Sequence, residues 1–400
     1  MKSYIPRNYY MERIQPFVGK ELIKVITGQR RVGKSFLLFQ IMDYIKEKNP
    51  EIPILYINKE LDEFSQIKSY KELLDYVKKV QHNHKKLVLV IDEIQDIPEF
   101  ERALRSLNAE GGYDIYCSGS NAALLSGELS TFLSGRYVEF QIHGLSFIEF
   151  MQFHKLPKNE DTLMKYIKFG GLPYLIHLEL EEQIVYEYLK NIHNSIVLKD
   201  VVARYQIRNI FLLENLLLYL ADNIGNLLTA KRISDFLKSQ RIDVLPKIIL
   251  NYLQFLSNAY YIYKVPRMNI TGRKIFEIND KYFFEDLGLR HTLLKFSGKE
   301  INKILENLVF KHLLHCQYRV HIGQIGDNEI DFVAEKTNHC MYVQVAYILS
   351  EPKTFEREFG NLLTIPDNFP KYVVSMDKFA GESYKGIQHL HIIDFLSVMF

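Results

Sequence analysis

The sequence predicts an α/β chain, and three observations carry that prediction. Short apolar, β-branched runs alternate with helix-periodic stretches up to about residue 141. A complete G-x-x-x-x-G-K-[ST] loop, Gly28-Gln29-Arg30-Arg31-Val32-Gly33-Lys34-Ser35, joins the first run to the first helix. A later run, Leu87-Val88-Leu89-Val90-Ile91, ends in two adjacent carboxylates, Asp92 and Glu93.

Each element follows from its residues. Leu22-Ile23-Lys24-Val25-Ile26 reads as a buried strand, and the stretch from Phe36 to Met42 has helical periodicity. Between them Gly28 and Gly33 have no side chain to block a positive φ, so the loop can turn its N–H groups inward onto phosphate oxygens. The helix start adds positive potential. Lys34 then reaches the β- and γ-phosphates of a nucleoside triphosphate, and the Ser35 hydroxyl is placed for Mg²⁺. The nucleotide-binding set is therefore Gly28, Gln29, Arg30, Arg31, Val32, Gly33, Lys34, Ser35 and Phe36.

Leu87 to Ile91 is wholly apolar, as expected of a strand buried on both faces. In an open α/β sheet ligands sit beyond the carboxyl ends of the strands, which sets Asp92 beside the phosphate loop. Asp92 is expected in the Mg²⁺ shell with Ser35, and Glu93 is expected to orient or deprotonate the attacking water. A further strand, Tyr113 to Cys117, runs into Ser118-Gly119-Ser120-Asn121, a polar cluster suited to sensing a γ-phosphate. The sequence does not choose among Ser118, Ser120 and Asn121, and Asn121 is carried as the catalytic candidate. Leu133-Ser134-Gly135-Arg136 precedes the strand Tyr137 to Phe140. Arg136 is either a group that stabilises charge on the transferring phosphoryl, in cis or across a subunit contact, or a surface arginine paired with a carboxylate.

These residues carry a resemblance. GQRRVGKS, LVIDE, CSGSN, LSGR, Leu145-Ser146-Phe147-Ile148-Glu149-Phe150 and Gly170-Gly171-Leu172-Pro173 resemble the prokaryotic AAA-type P-loop ATPases, within the group whose C-terminal half is a domain of unknown function. The resemblance is specific in the first half and looser in the second. It implies a parallel P-loop sheet with a small helical lid, Asp92 and Glu93 as metal-holding and water-activating residues, and Arg136 as an arginine finger. It also implies adenine over guanine, in keeping with the lack of a guanine-reading N-K-x-D. The stretch Arg7 to Tyr10 is expected near the adenine.

Composition sets the bounds. Four hundred residues, 47% of them apolar, suffice for two to four packed domains. Cys117, Cys316 and Cys340 have neither disulfide-framework nor zinc spacing, which fits a reducing cytoplasm. No signal-peptide core opens the chain, and no apolar run approaches membrane-spanning length. A cytoplasmic protein without a membrane partner is expected.

Net charge is only +2, yet Asn226 to Ile275 holds nine basic residues against two acidic ones. They are Lys231, Arg232, Lys238, Arg241, Lys247, Lys264, Arg267, Arg273 and Lys274, opposed by Asp235 and Asp243. Thr229 suits the N-cap of a helix from Ala230 to Leu237, a turn spans Ser239 to Val244, and Pro246 suits the first turn of a helix ending near Ala259. Tyr260 to Val265 then reads as a strand and Arg267 to Lys274 as a hairpin tip. This order resembles a winged helix, which points either to double-stranded DNA or to a protein partner, while a solvated basic face is the plainest reading. Leu212 to Leu220 reads as a core helix.

At the C-terminus, a helix carrying Glu306 (Ile301 to Cys316), a strand carrying Asp331 and a strand Met341 to Ala346 follow the order of the PD-(D/E)xK nuclease fold. Gln344 stands where that pattern has an acid and Ala346 where it has a lysine. A neutral amide is a poorer Mg²⁺ ligand, and no lysine remains to position the nucleophile. The expectation is a nuclease-like domain without cleavage, against an unrelated α/β accessory domain. Cleavage would need a substitute lysine, for which Lys336 and Lys353 lie nearest in sequence.

The domains expected are an AAA-type P-loop core at 1–155, a helical lid or linker at 156–205, a winged-helix-like domain at 206–300 and a nuclease-like domain at 301–400. The function expected is a Mg²⁺-dependent ATP hydrolase that couples nucleotide state to the C-terminal modules on DNA. The alternative is a nucleotide-bound regulatory or assembly switch acting through protein partners with little turnover. A small-molecule kinase fits less well, since it leaves the C-terminal half without a role. An oligomer is compatible with either.

Overall fold

The structure, a computed structural model, describes residues 4–81, 85–122, 133, 135–276, 279–337, 339–378 and 383–398. Two compact units emerge: residues 1–143 with 258–260, and residues 144–257 with 261–400.

The first unit is built on a five-stranded, all-parallel sheet. Its strands are β1 (Ile23–Thr27), β2 (Ile54–Asn58), β3 (Leu87–Asp92), β4 (Tyr113–Gly119) and β5 (Tyr137–Gln141), in the order β2-β3-β4-β1-β5. Every residue of β1 and β3 is buried, as their mostly apolar sequences require. Lys24 is the exception in chemistry, lying fully buried in β1 with its ammonium on Asp114 of β4 and on the Lys20 carbonyl at 2.9 Å. Leu89, Ile91, Ile115 and Cys117 pack against Leu73, Val77, Leu104 and Leu107 of the flanking helices. Because β1 lies between β4 and β5, the loop after β1 and the end of β4 fall side by side at one edge of the sheet.

The second unit begins with helices. Ser146 and Glu149 form a reciprocal capping box on the helix Phe147–His154, and Asn159 caps the helix Glu160–Phe169. The helix Glu182–Ser195 continues into a π-helical stretch, Ile196–Ala203. Three helices follow, Ile210–Asp222, Ala230–Ser239 and Pro246–Asn258, with Thr229 capping the second through the Arg232 N–H at 3.1 Å. They are joined by β6 (Leu227–Leu228), β7 (Ile262–Val265) and β10 (Asp280–Phe284), a sheet of order β6-β10-β7 with antiparallel pairing throughout. Leu212, Leu213, Leu216 and Leu217 are buried, so that helix is core.

Residues 267–275 depart from the expectation. β8 (Arg267–Asn269) and β9 (Lys274–Ile275) do form a hairpin, but β8 pairs with β11 (Arg319–Ile325) and so joins the C-terminal sheet. The expected strand from Tyr260 begins only at Ile262, because Tyr260 takes a left-handed turn with φ 54°. The C-terminal sheet has eight strands in the order β15-β16-β14-β13-β12-β11-β8-β9, with β12 (Asn328–Lys336), β13 (His339–Val345), β14 (Lys371–Ser375), β15 (Ser383–Tyr384) and β16 (Ile387–His391). β11, β12 and β13 are antiparallel, whereas β14 runs parallel to β13 after the helix Pro352–Leu363. Among the described residues no helix is long and apolar enough to cross a membrane.

Candidate nucleotide site

The phosphate loop is held where glycine alone fits. Gly28 has φ +144°, and a Cβ there would sit 2.2 Å from the Ile142 carbonyl oxygen. Gly33, at φ +100°, is the left-handed residue from which the helix Lys34–Lys48 starts, two residues before the expected start at Phe36. Val32 and Lys34 are buried, Ser35 is half-buried, and Phe36 is 49% exposed. The Lys34 ammonium donates to the carbonyls of Gly28 and Gln29, each at 3.0 Å, so it lies folded into its own loop. Gln29 is buried and donates to the Tyr260 carbonyl at 3.0 Å. Arg30 pairs with Glu60 at 3.4 Å, and Arg31 has φ 72°.

Beside the loop stands the acidic end of β3. Lys34 Nζ is 3.9 Å from Glu93 Oε1. Asp92 is buried and accepts hydrogen bonds from the Ser118 hydroxyl and, at 3.1 Å, from the Tyr56 hydroxyl. Glu93 takes a left-handed φ of 56°, with its N–H on Ser118 Oγ at 3.2 Å. Its carboxylate accepts from Gln95 and, at 3.4 Å, from Ser120. Burial alone would raise the Glu93 pKa, but Lys34, Arg30 and these two donors hold it below the ordinary carboxylate range. Ser118 and Ser120 thus both engage the carboxylate pair, and Asn121 is fully buried at the same end of β4. Among the described residues no group of three His, Cys, Asp or Glu side chains is arranged to hold a metal alone. Hard oxygen donors are present in Asp92, Glu93, Ser35 and Ser118, a set that fits Mg²⁺ shared with nucleotide phosphates.

Comparison with known proteins matches residues 20–151 to a family described as an AAA domain, and residues 160–300 to a domain of unknown function. An uncharacterized protein of Haemophilus influenzae is 36% identical, across 99% of this chain and 99% of that protein. The chain belongs to the same family as this protein, and its residues 20–151 are an AAA domain. Another relative, the uncharacterized protein MJ1544 of Methanocaldococcus jannaschii, is 32% identical over 84% of this chain and 77% of its own. Among solved structures, a Walker-type ATPase of Pyrococcus abyssi is similar at 16% identity and a TM-score of 0.49, covering 73% of this chain and 96% of that one.

In this AAA domain the structure separates the expected residues. Gly28 to Ser35, Asp92, Glu93, Ser118, Ser120 and Asn121 gather at the carboxyl edge of the sheet. Arg136 does not join them. It is exposed, and its carbonyl accepts from the Ile23 N–H at the start of β1. The length of β1, five residues at about 3.3 Å each, lies between it and the loop. An arginine side chain is shorter than that distance, so of the two roles expected for Arg136 the one across a subunit contact is carried forward as a proposal. Ser134, named with it, lies outside the described residues. The N-terminal stretch packs behind the loop: Arg7 is buried and donates to the Val32 and His143 carbonyls at 3.0 and 2.9 Å, and the Tyr10 hydroxyl accepts from the His143 N–H. Sequence reading missed Tyr56 and Gln95. Only pairing of β2 with β3 and the turn after Glu93 bring them to the carboxylates.

Proposed function

We propose that this protein is a Mg²⁺-dependent ATP hydrolase whose nucleotide state acts on its C-terminal modules. The observation that carries the reading is the 3.9 Å approach of Lys34 to Glu93, which sets the phosphate loop against the acidic strand end. Residues Gly28 to Phe36 bind the triphosphate, with Lys34 leaving its loop carbonyls for the β- and γ-phosphates. Ser35 and Asp92 would hold the metal, which when bound would offset charge on the terminal phosphates. Glu93, kept ionised by its neighbours, orients the attacking water and takes its proton. Asn121 reads the γ-phosphate. Arg136, too far from its own loop, acts across a subunit contact if it acts on phosphate at all.

The domain plan proposed is an ATPase core at 1–155, a lid at 156–205, a winged-helix-like domain at 206–300 and a nuclease-like domain at 301–400. Three helices with an antiparallel β6-β10-β7 sheet support the third of these. The fourth is supported by the Glu306 helix, three antiparallel strands, a helix and the parallel β14, and Gln344 and Ala346 make it non-cleaving. Double-stranded DNA is the proposed partner of the Lys231–Lys274 region, where Lys231, Arg232, Lys238, Arg241 and Lys247 are exposed. One observation favours the protein-partner reading instead. The helix Pro246–Asn258 exposes Leu245 just before its start at 69%, and along it Ile248 at 39% and Leu250 at 52%, beside a single basic residue, Lys247.

Steady-state ATP hydrolysis with Mg²⁺, with and without double-stranded DNA and beside Glu93→Gln, tests the proposal. Turnover stimulated by DNA and lost in the variant is the expected result. Stoichiometric nucleotide without turnover selects the switch. Divalent-dependent DNA cleavage by the wild-type chain overturns the non-cleaving assignment.

A further inference from the structure

The acidic residues of the nuclease-like pattern enclose a lysine that the pattern does not contain. Lys281 lies on β10, the middle strand of the β6-β10-β7 sheet, and its side chain is 1% exposed. Its ammonium is 3.1 Å from Glu306 Oε2, 2.8 Å from Glu329 Oε1 and 3.7 Å from Asp331 Oδ1. Lys336 is instead on the Cys316 carbonyl at 3.2 Å. An ammonium has three donors, and here three carboxylates face it.

The surrounding groups bind that arrangement in place. Glu306, itself 1% exposed, accepts on its other oxygen from Lys303 at 2.8 Å. Asp331 accepts from the Val345 N–H at 2.8 Å, and its own N–H donates to the Gln344 side-chain oxygen at 3.2 Å. Gln344 is therefore spent on the Asp331 backbone. Burial alone would lower the Lys281 pKa, but Glu306, Asp331 and Glu329 more than offset it and raise it, so the lysine is charged. Burial and Glu306 push Asp331 up to about 8, against the pull of Lys281.

We infer that Lys281 is the built-in cation of this site, its ammonium standing where the nuclease pattern would hold a divalent metal, so that removing it creates a Mg²⁺- or Mn²⁺-binding site. This explains why loss of a carboxylate ligand and of the pattern's lysine go together with a buried Glu306 and Asp331. Glu306, Glu329 and Asp331 instead surround the ammonium of a lysine from the adjoining sheet. The inference rests on the nuclease-like reading of residues 301–400.

The test is Mn²⁺ binding to the full, nucleotide-free chain, followed by the electron paramagnetic resonance signal of free Mn²⁺. Wild type is expected to show no binding that Asp331→Asn removes. Lys281→Met is expected to gain one site at least tenfold tighter, lost again in Lys281→Met with Asp331→Asn. A wild-type site that Asp331→Asn abolishes overturns the inference, as does a folded Lys281→Met that binds no more Mn²⁺ than wild type. If Lys281→Met does not fold, millimolar Mn²⁺ or Mg²⁺ is expected to restore its circular dichroism, and failure of both ions to do so overturns it. DNA cleavage by wild type is scored separately, because it defeats the non-cleaving reading whatever the variants bind.

Discussion

At the residue scale, two side chains and one missing side chain determine what the nucleotide site can do. Lys34→Ala removes the loop ammonium that lies 3.9 Å from Glu93 and is expected to weaken ATP binding at least tenfold, as measured by titration with a fluorescent nucleotide. Glu93→Gln keeps the shape and the Gln95 and Ser120 contacts but loses the charge, so ATP binding is expected to persist while turnover falls about a hundredfold or more. Wild-type turnover in that variant would remove Glu93 from its role. Gly28→Ala places a Cβ against the Ile142 carbonyl in a backbone region alanine rarely adopts. It is expected to cost about 1–3 kcal/mol of stability and to abolish nucleotide retention, read by thermal melts with and without Mg²⁺ and ATP.

At the scale of elements, the Gly170-Gly171 pair finds its reason in a residue 115 positions on from Gly171. Asp286 accepts from the Gly171 and Leu289 N–H groups, at 2.7 and 3.0 Å, and a Cβ on Gly170 would lie 2.3 Å from its carboxylate. Gly170→Ala is therefore expected to destabilise the second unit by about 1–3 kcal/mol in denaturant unfolding. The same carboxylate imposes a pH dependence. Burial raises Asp286 to about 6, with the neighbouring Glu285 adding to the shift and Lys311 opposing it. A raised folded-state pKa means the folded chain holds the proton more tightly. The stabilisation is full below the ordinary value near 4 and is lost as pH rises through about 6. Melting temperatures across that range are expected to fall for wild type, and this step is expected to vanish in Asp286→Asn.

For the whole molecule, the partner decides between an ATPase acting on DNA and a switch acting on protein. Charge reversal at Lys231, Arg232 and Lys238 is expected to abolish DNA binding and its salt dependence if phosphates are the target. Leu245, Ile248 and Leu250 changed together to serine are expected to leave DNA binding within twofold on that reading. The opposite pattern, measured by fluorescence anisotropy on a labelled duplex, selects the protein surface. Both variants change exposed residues, so loss of fold does not confuse the outcome.

Much of the first unit was legible because its signals are local. A glycine loop between an apolar run and a helix, and a β-branched run ending in Asp92-Glu93, each declare themselves within about ten residues, since strand burial and phosphate geometry constrain neighbours in sequence. Thr229 and Pro246 marked helix starts for the same reason. What sequence could not reach depends on pairing across distance. Strand order placed Ser118 and Tyr56 on Asp92 and carried Arg136 to the far edge of the sheet. Parallel pairing with β11 took the hairpin at Arg267 into the C-terminal sheet, and β10 delivered Lys281 to Glu306 and Asp331. A phosphate loop and an acidic strand end can be read from the order of residues along this chain. Tertiary structure alone decided which polar groups surround the carboxylates, because a buried charge selects its partners by proximity in space, and no periodicity along the chain records that choice.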